Sequence, residues 1–130
     1  MILDASAALD VLLRIEPEAE WVTDRIAKGD ALVAPHLIET EVVSGLRRRT
    51  LRGELTPRRG QRALRDFLAL RIQKYPTSML LERMYQLRDV LSAYDAAYVA
   101  LAEALDVPLV TTDGRLARSS GHAARILCPA

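Results

Sequence analysis

Four acidic residues stand where apolar sequence ought to continue. Ile2 and Leu3 run straight into Asp4, while Val107, Leu109 and Val110 lead through Thr111 and Thr112 into Asp113. One acid ending a buried strand is a turn residue; acids ending two separate strands point to a site. Two helical acids can join them. At about 100° per residue, Leu37, Ile38, Glu41, Val42 and Gly45 share one arc of a helix, which puts Glu41 on its inward side and Glu39 on the opposite side. Asp95 opens a segment, Ala96 to Leu105, that is apolar almost all round and therefore central and buried. A carboxylate on a buried face is costly unless it is paired or bound to a cation.

Four carboxylates in one crevice would raise one another's pKa, and a divalent cation removes that repulsion. A carboxylate-only set with open positions favours Mg²⁺ or Mn²⁺, which keep waters and bind phosphate oxygens. Such a site orients a water for in-line attack on a phosphodiester. No Lys or Arg obviously converges with the four acids. Each also has a plainer reading. Glu41 could pair with an arginine. Ser92 and Asp95 stand at capping-box spacing, and a first-turn acid suits the helix dipole, so Asp95 alone reads equally as cap or ligand. Thr111 and Ser6 bring short hydroxyls to the same crevice, and Ser6 reads first as the cap of the following helix. Zinc is not indicated. His36 and His122 are far apart and read as surface residues, and Cys128 reads as core on a strand. Trp21, Met79 and Met84 fit helix packing.

The elements that must position these acids alternate. Short apolar runs at 2–4, 31–35 ("ALVAP"), 71–75 ("RIQKY"), 108–112 ("PLVTT") and 124–128 ("ARILC") read as strands. Helical patterns lie between them: Ser6 to Leu13, a segment with Pro17 as first residue and Gly29 as stop, 36–53, and a helix capped by Thr56 with Pro57 at its first position, running to about Leu70. A helix over 78–91 and one over 93–105 capped by Ser92 follow. Strands separated by helices imply βαβ units, hence an α/β three-layer sandwich on a mainly parallel sheet. In such sheets sites form outside the carboxyl ends of the strands, where Asp4 and Asp113 fall.

Composition narrows the class further. A chain of 130 residues, half hydrophobic and 27% charged, is expected to be one soluble domain, 1–130. It has no apolar run long enough for a membrane span and no secretory pattern at its start, and a lone Cys128 suits a reducing cytoplasm. The net charge of +1 hides an asymmetry. Between Arg47 and Lys74 ten basic residues face only Glu54 and Asp66, so this segment carries +8 and the rest −7. That block reads as a solvated amphipathic helix face or as a surface for a phosphate-rich partner.

The order and flanks of "MILDASAAL", "APHLIETEVVSGLRRR", "SAYDAAYVALAEAL" and "PLVTTDGRL" resemble the PIN domain, and within it the VapC toxins of bacterial VapBC toxin–antitoxin pairs. The resemblance covers essentially the whole chain. It implies a five-stranded parallel sheet in the order 3-2-1-4-5, with metal-binding acids at Asp4, Glu41, Asp95 and Asp113 and a hydroxyl at Thr111. It further implies a Mg²⁺- or Mn²⁺-dependent endoribonuclease acting on structured RNA such as tRNA or rRNA. A homodimer silenced by a cognate VapB-like antitoxin is also implied. Glu39 competes with Glu41 for the family position, but helix phase and the following "VVSGLRR" favour Glu41.

Rival readings fit less well. A haloacid-dehalogenase-type phosphatase needs a second Asp where Ser6 stands. A receiver domain wants a Lys after a late strand, and the only lysines are Lys28 and Lys74. A non-catalytic PIN-like RNA- or protein-binding module is the alternative from another class; such proteins usually lose some of the acids, and all four are present here.

Overall fold

The computed structural model describes residues 1–130 and is built on a five-stranded parallel sheet, ordered β3-β2-β1-β4-β5. The strands are β1 (Ile2–Leu3), β2 (Leu32–Pro35), β3 (Ile72–Tyr75), β4 (Leu109–Val110) and β5 (Ile126–Leu127). Seven helices join them: α1 (Ala5–Leu13), α2 (Glu18–Ile26), α3 (Leu37–Leu51), α4 (Pro57–Ala69), α5 (Leu81–Gln86), α6 (Ala93–Leu105) and α7 (Gly114–Ala117). The central strands are short and wholly apolar because helices cover both of their faces. Ile2 lies opposite Val33 on one side and Leu109 on the other, and Leu3 lies opposite Val110. These side chains belong to one core of 30 buried residues that also takes in Ala96 and Tyr98 to Ala102 of α6.

The strand order places the site. From β1 the chain steps outward through β2 to β3, then returns past β1 to β4 and steps the other way to β5. Right-handed crossovers put the helices of the two directions on opposite faces. The direction changes between β1 and β4, and a crevice opens there at the strands' carboxyl ends. Asp4 follows β1 at that crevice, and Thr111 and Asp113 follow β4.

Local signals explain most of the helices. The Thr56 hydroxyl accepts the N–H of Arg59 at 3.2 Å with Pro57 opening α4, and the Ser92 hydroxyl accepts that of Asp95 at 3.2 Å at the start of α6. Pro17 sits one position earlier than expected, at the N-cap of α2. The expected helix over 78–91 is broken. Residues Thr77–Leu80 form a 3₁₀ turn, α5 covers only Leu81–Gln86, and turns carry the chain to Ser92. No Gly or Pro dictates this break; burial of Leu80 and Leu87 on the core, with the reversal needed to bring α6 across the sheet, overrides helix propensity. Met79 lands on that turn 73% exposed, so it is not the packing residue its spacing suggested. Cys128 lies one residue beyond β5 and is half-buried, outside the core where it was expected.

One close approach holds the site side of the fold together. Helices α1 and α3 touch where Gly45 faces Leu9, and a Cβ at Gly45 would run into the Leu9 side chain. Gly45→Val is expected to cost about 2–3 kcal/mol of stability through overpacking, read as a lower midpoint in urea unfolding. An unchanged midpoint would show that the two helices can part freely.

Candidate active site

Asp4 is buried at the crevice and performs two structural tasks before any chemistry. It ends β1 in an extended conformation and is the N-cap of α1. Its Oδ1 accepts the N–H of Ala7 at 2.9 Å and the Ser6 hydroxyl at 2.7 Å, and its Oδ2 accepts the Thr111 hydroxyl. The expectation that Ser6 caps this helix is corrected: Asp4 takes the cap because the strand-to-helix turn falls on it. Ser6, the second residue of α1, instead bridges. Its Oγ lies 3.1 Å from Thr111 Oγ1 and accepts the N–H of Thr112 at 3.2 Å. Thr111 is fully buried and accepts the N–H of Asp113 at 3.0 Å. The two ends of the chain are thus tied together by side-chain hydroxyls at the crevice.

Asp113 caps α7, accepting the N–H of Arg115 at 2.9 Å, and its other oxygen lies 3.5 Å from the Arg115 guanidinium. Glu41 projects from α3 and accepts the Tyr98 hydroxyl at 2.7 Å; the alternative of an arginine salt bridge does not occur. Glu39 points away, held by His36 at 3.4 Å and Lys74 at 3.5 Å, which separates the two glutamates as helix phase anticipates. Asp95 sits in the first turn of α6, three residues before Tyr98. All four acids line one cleft of about 340 Å³.

Their electrostatics bind them into a chain. Burial raises Asp4 to about 6 from an ordinary 3.8, against the bonds from Ala7, Thr111 and Ser6, and the charge of Glu41 adds to the rise. Burial likewise raises Glu41, with the Asp95 charge adding and the Tyr98 bond opposing. Asp95 is raised by burial and then by Asp113. Each acid therefore senses the next: Asp4, Glu41, Asp95, Asp113.

Several cleft residues escaped the sequence reading. Arg48, Arg49 and Arg115 line the same cleft, so the expectation that no basic residue converges there is corrected. They are reached by α3 running on past Glu41 and by the turn after Asp113. Tyr98 was also missed, although its spacing of three from Asp95 places both on one face of α6.

The donor set suits a hard cation: carboxylates and hydroxyls, no thiol and no imidazole. No three acidic, histidine or cysteine side chains stand grouped closely enough to hold one ion between them. An ion drawn to these oxygens would take one or two carboxylates directly and reach the others through waters, as Mg²⁺ commonly does. Mn²⁺ accepts the same oxygen donors.

Comparison with known proteins places the chain among relatives. Residues 1–121 match the PIN domain. Ribonuclease VapC12 of Mycobacterium tuberculosis is 40% identical over 126 residues, covering 97% of this chain and 96% of that protein. Among solved structures, VapC20 of Mycobacterium tuberculosis, described as a sarcin–ricin loop cleaving toxin, aligns with a TM-score of 0.70 at 15% identity over 94% of this chain and 95% of its own. VapBC2 from Rickettsia felis, bound to a DNA fragment from its promoter, aligns with a TM-score of 0.69 at 14% identity over 97% of each chain.

Proposed function

This chain belongs to the PIN-domain family, and from that premise we propose that it is a metal-dependent endoribonuclease of the VapC kind, hydrolysing phosphodiester bonds of structured RNA such as tRNA or rRNA. The observation that carries the reading is the cleft itself. Four carboxylates from β1, α3, α6 and the end of β4 line it at a topological switch point, and the charges of Glu41, Asp95 and Asp113 raise Asp4, Glu41 and Asp95 in turn. Kinship over nearly the whole chain with proteins named ribonucleases agrees with it. Asp4 is already satisfied as an N-cap, but a cap alone does not call for three further acids in the same cleft, and that grouping favours catalysis over a non-catalytic binding module.

Asp4, Glu41, Asp95 and Asp113 are the residues from which Mg²⁺ or Mn²⁺ would draw its ligands, one or two directly and the rest through waters. When bound, the cation supplies a polarised water and neutralises charge on the attacking and leaving oxygens. The chain's own groups prepare the rest. Thr111 and Ser6 fix the Asp4 carboxylate, and Tyr98 fixes Glu41. Arg48, Arg49 and Arg115 give the acidic cleft a basic rim that draws in the substrate phosphate. A cognate VapB-like antitoxin and a homodimer belong to the same proposal and rest on the resemblance of the motifs.

The test is cleavage of total tRNA and rRNA by partner-free protein in Mn²⁺, Mg²⁺ or EDTA, with Asp95→Asn as the contamination control. Discrete fragments that require metal and vanish in the variant support the reading. Folded protein that gives no fragments under any condition supports the binding module. Tyr98→Phe is expected to keep the fold but lower metal affinity and cleavage about 10–100-fold, the usual effect of losing a partner behind a ligand. Isothermal titration with Mn²⁺ beside a cleavage assay checks it; unchanged values would make the 2.7 Å bond to Glu41 incidental.

A further inference from the structure

Helix α4 exposes Arg58, Arg59, Arg62 and Arg65. At about 100° per residue, Arg58, Arg62 and Arg65 form one stripe, opposite the buried Gly60, Ala63 and Phe67. The four ion pairs of the structure involve none of the nine arginines between residues 47 and 71. Of the four on α4, Arg59 is the one tied down: its guanidinium donates to the Leu13 carbonyl at 2.9 Å and fixes α4 against the far end of α1. The stripe borders an open concavity of about 710 Å³ whose lining includes no hydrophobic residue.

We propose that this stripe is a second RNA contact, gripping the sugar–phosphate backbone of a structured substrate away from the acid cleft. The proposal rests on the ribonuclease reading and names the surface that would select structured RNA within it. Unpaired arginines retain their full charge, and the planar guanidinium fork matches phosphate bidentately. A rise of about 1.5 Å per residue sets Arg58, Arg62 and Arg65 about 6 and about 4.5 Å apart along the helix axis, close enough to meet neighbouring phosphates. The concavity itself offers guanidinium groups and no aromatic or aliphatic anchor, a lining suited to a phosphate backbone.

Position separates the stripe from the reaction. Asp4 and Leu13 stand at opposite ends of α1, about 13 Å apart along its axis, so the Arg59 anchor lies a helix length from the first acid. Helix α3 packs against both α1 and α4, and its Arg48 and Arg49 line the cleft. An RNA held at both places must have backbone that spans the interval.

The test is fluorescence anisotropy of a labelled RNA stem-loop in EDTA over a salt series. For R58Q/R62Q/R65Q the slope of log K against log salt concentration is expected to fall by about 2–3, at roughly 0.7–0.9 per lost phosphate contact, with affinity at low salt down at least about tenfold. R58K/R62K/R65K should keep most of the slope, which separates charge from damage to the helix. Single R62Q should remove about one unit and serves if the triple glutamine variant fails to fold. An unchanged slope in the glutamine variants overturns the proposal. So does loss of affinity for an acidic protein partner with RNA binding intact. A lower slope without metal-dependent cleavage by the wild type would keep the stripe and remove the nuclease; cleavage with an unaltered slope would do the reverse.

Discussion

Asp4→Asn is expected to give a protein that is more stable than the wild type at neutral pH and that no longer cleaves RNA. The stability gain follows from burial. Asp4 is 5% exposed, and burial lifts its folded pKa to about 6 from 3.8. The folded chain therefore holds this proton to higher pH than the unfolded chain does. Stability from this group is fully present below about pH 4 and is lost as pH rises through about 6, a total of about 3 kcal/mol. Asparagine never ionises, so the variant escapes that loss. It also remains a good N-cap, and its side-chain oxygen can still accept from Ala7. Urea unfolding of both proteins across this range should show a gap that is small in acid and grows to about 3 kcal/mol near neutrality. Cleavage should fall by more than the roughly 10–100-fold that partners behind a ligand account for. A variant less stable than the wild type at neutral pH would mean that the bonds from Ala7, Ser6 and Thr111 outweigh the cost of burying the charge. A variant that still cut RNA would remove Asp4 from the site.

The second large effect should come from the cation. Adding Mg²⁺ or Mn²⁺ at a hundredfold excess over its Kd is expected to stabilise the wild type by about 3 kcal/mol, since only the folded chain assembles the cleft. The effect should depend on pH in the sense opposite to the apo protein's own trend. Below about 6 the Asp4 proton competes with the metal, so the stabilisation is small; above it the carboxylate is free and the stabilisation is full. Calorimetric melts with and without metal, reversed by EDTA, would measure this. Asp4→Asn and Glu41→Gln should lose most of the shift. An equal shift in those variants, or one independent of pH, would place the ion elsewhere.

How far the sequence foretold this arrangement varied with the physics involved. Helix faces, and caps where one candidate stands alone, follow from nearest neighbours and periodicity. Asp4, Glu41, Asp95 and Asp113 were therefore legible, as were the caps at Thr56 and Ser92 and the outward Glu39. Features decided by distant contacts were not. Ser6 and Asp4 are both good caps, and only the exact end of β1, set by pairing with β2 and β4, gives the task to Asp4. The arc that carries Glu41 inward looks purely apolar until α6 arrives with Tyr98. Residues 78–91 read as one helix because every local preference favours one; the turn that exposes Met79 is imposed by where α6 must lie. Arg48 and Arg49 of the cleft were hidden inside a run whose charge could be counted but whose direction could not be seen.

The hydroxyl bridge between Ser6 and Thr111 has a consequence for synthesis. The first and last acids of the cleft are made 109 positions apart in a chain that emerges from one end. At about 5–20 residues per second, the interval between them is roughly 5–20 s. During that time the β1 end of the crevice exists without its β4 half, and no nascent fragment that stops short of Asp113 holds the complete set. The cleft is thus completed only when the last part of the chain has been made. That delay is written into the order of its strands.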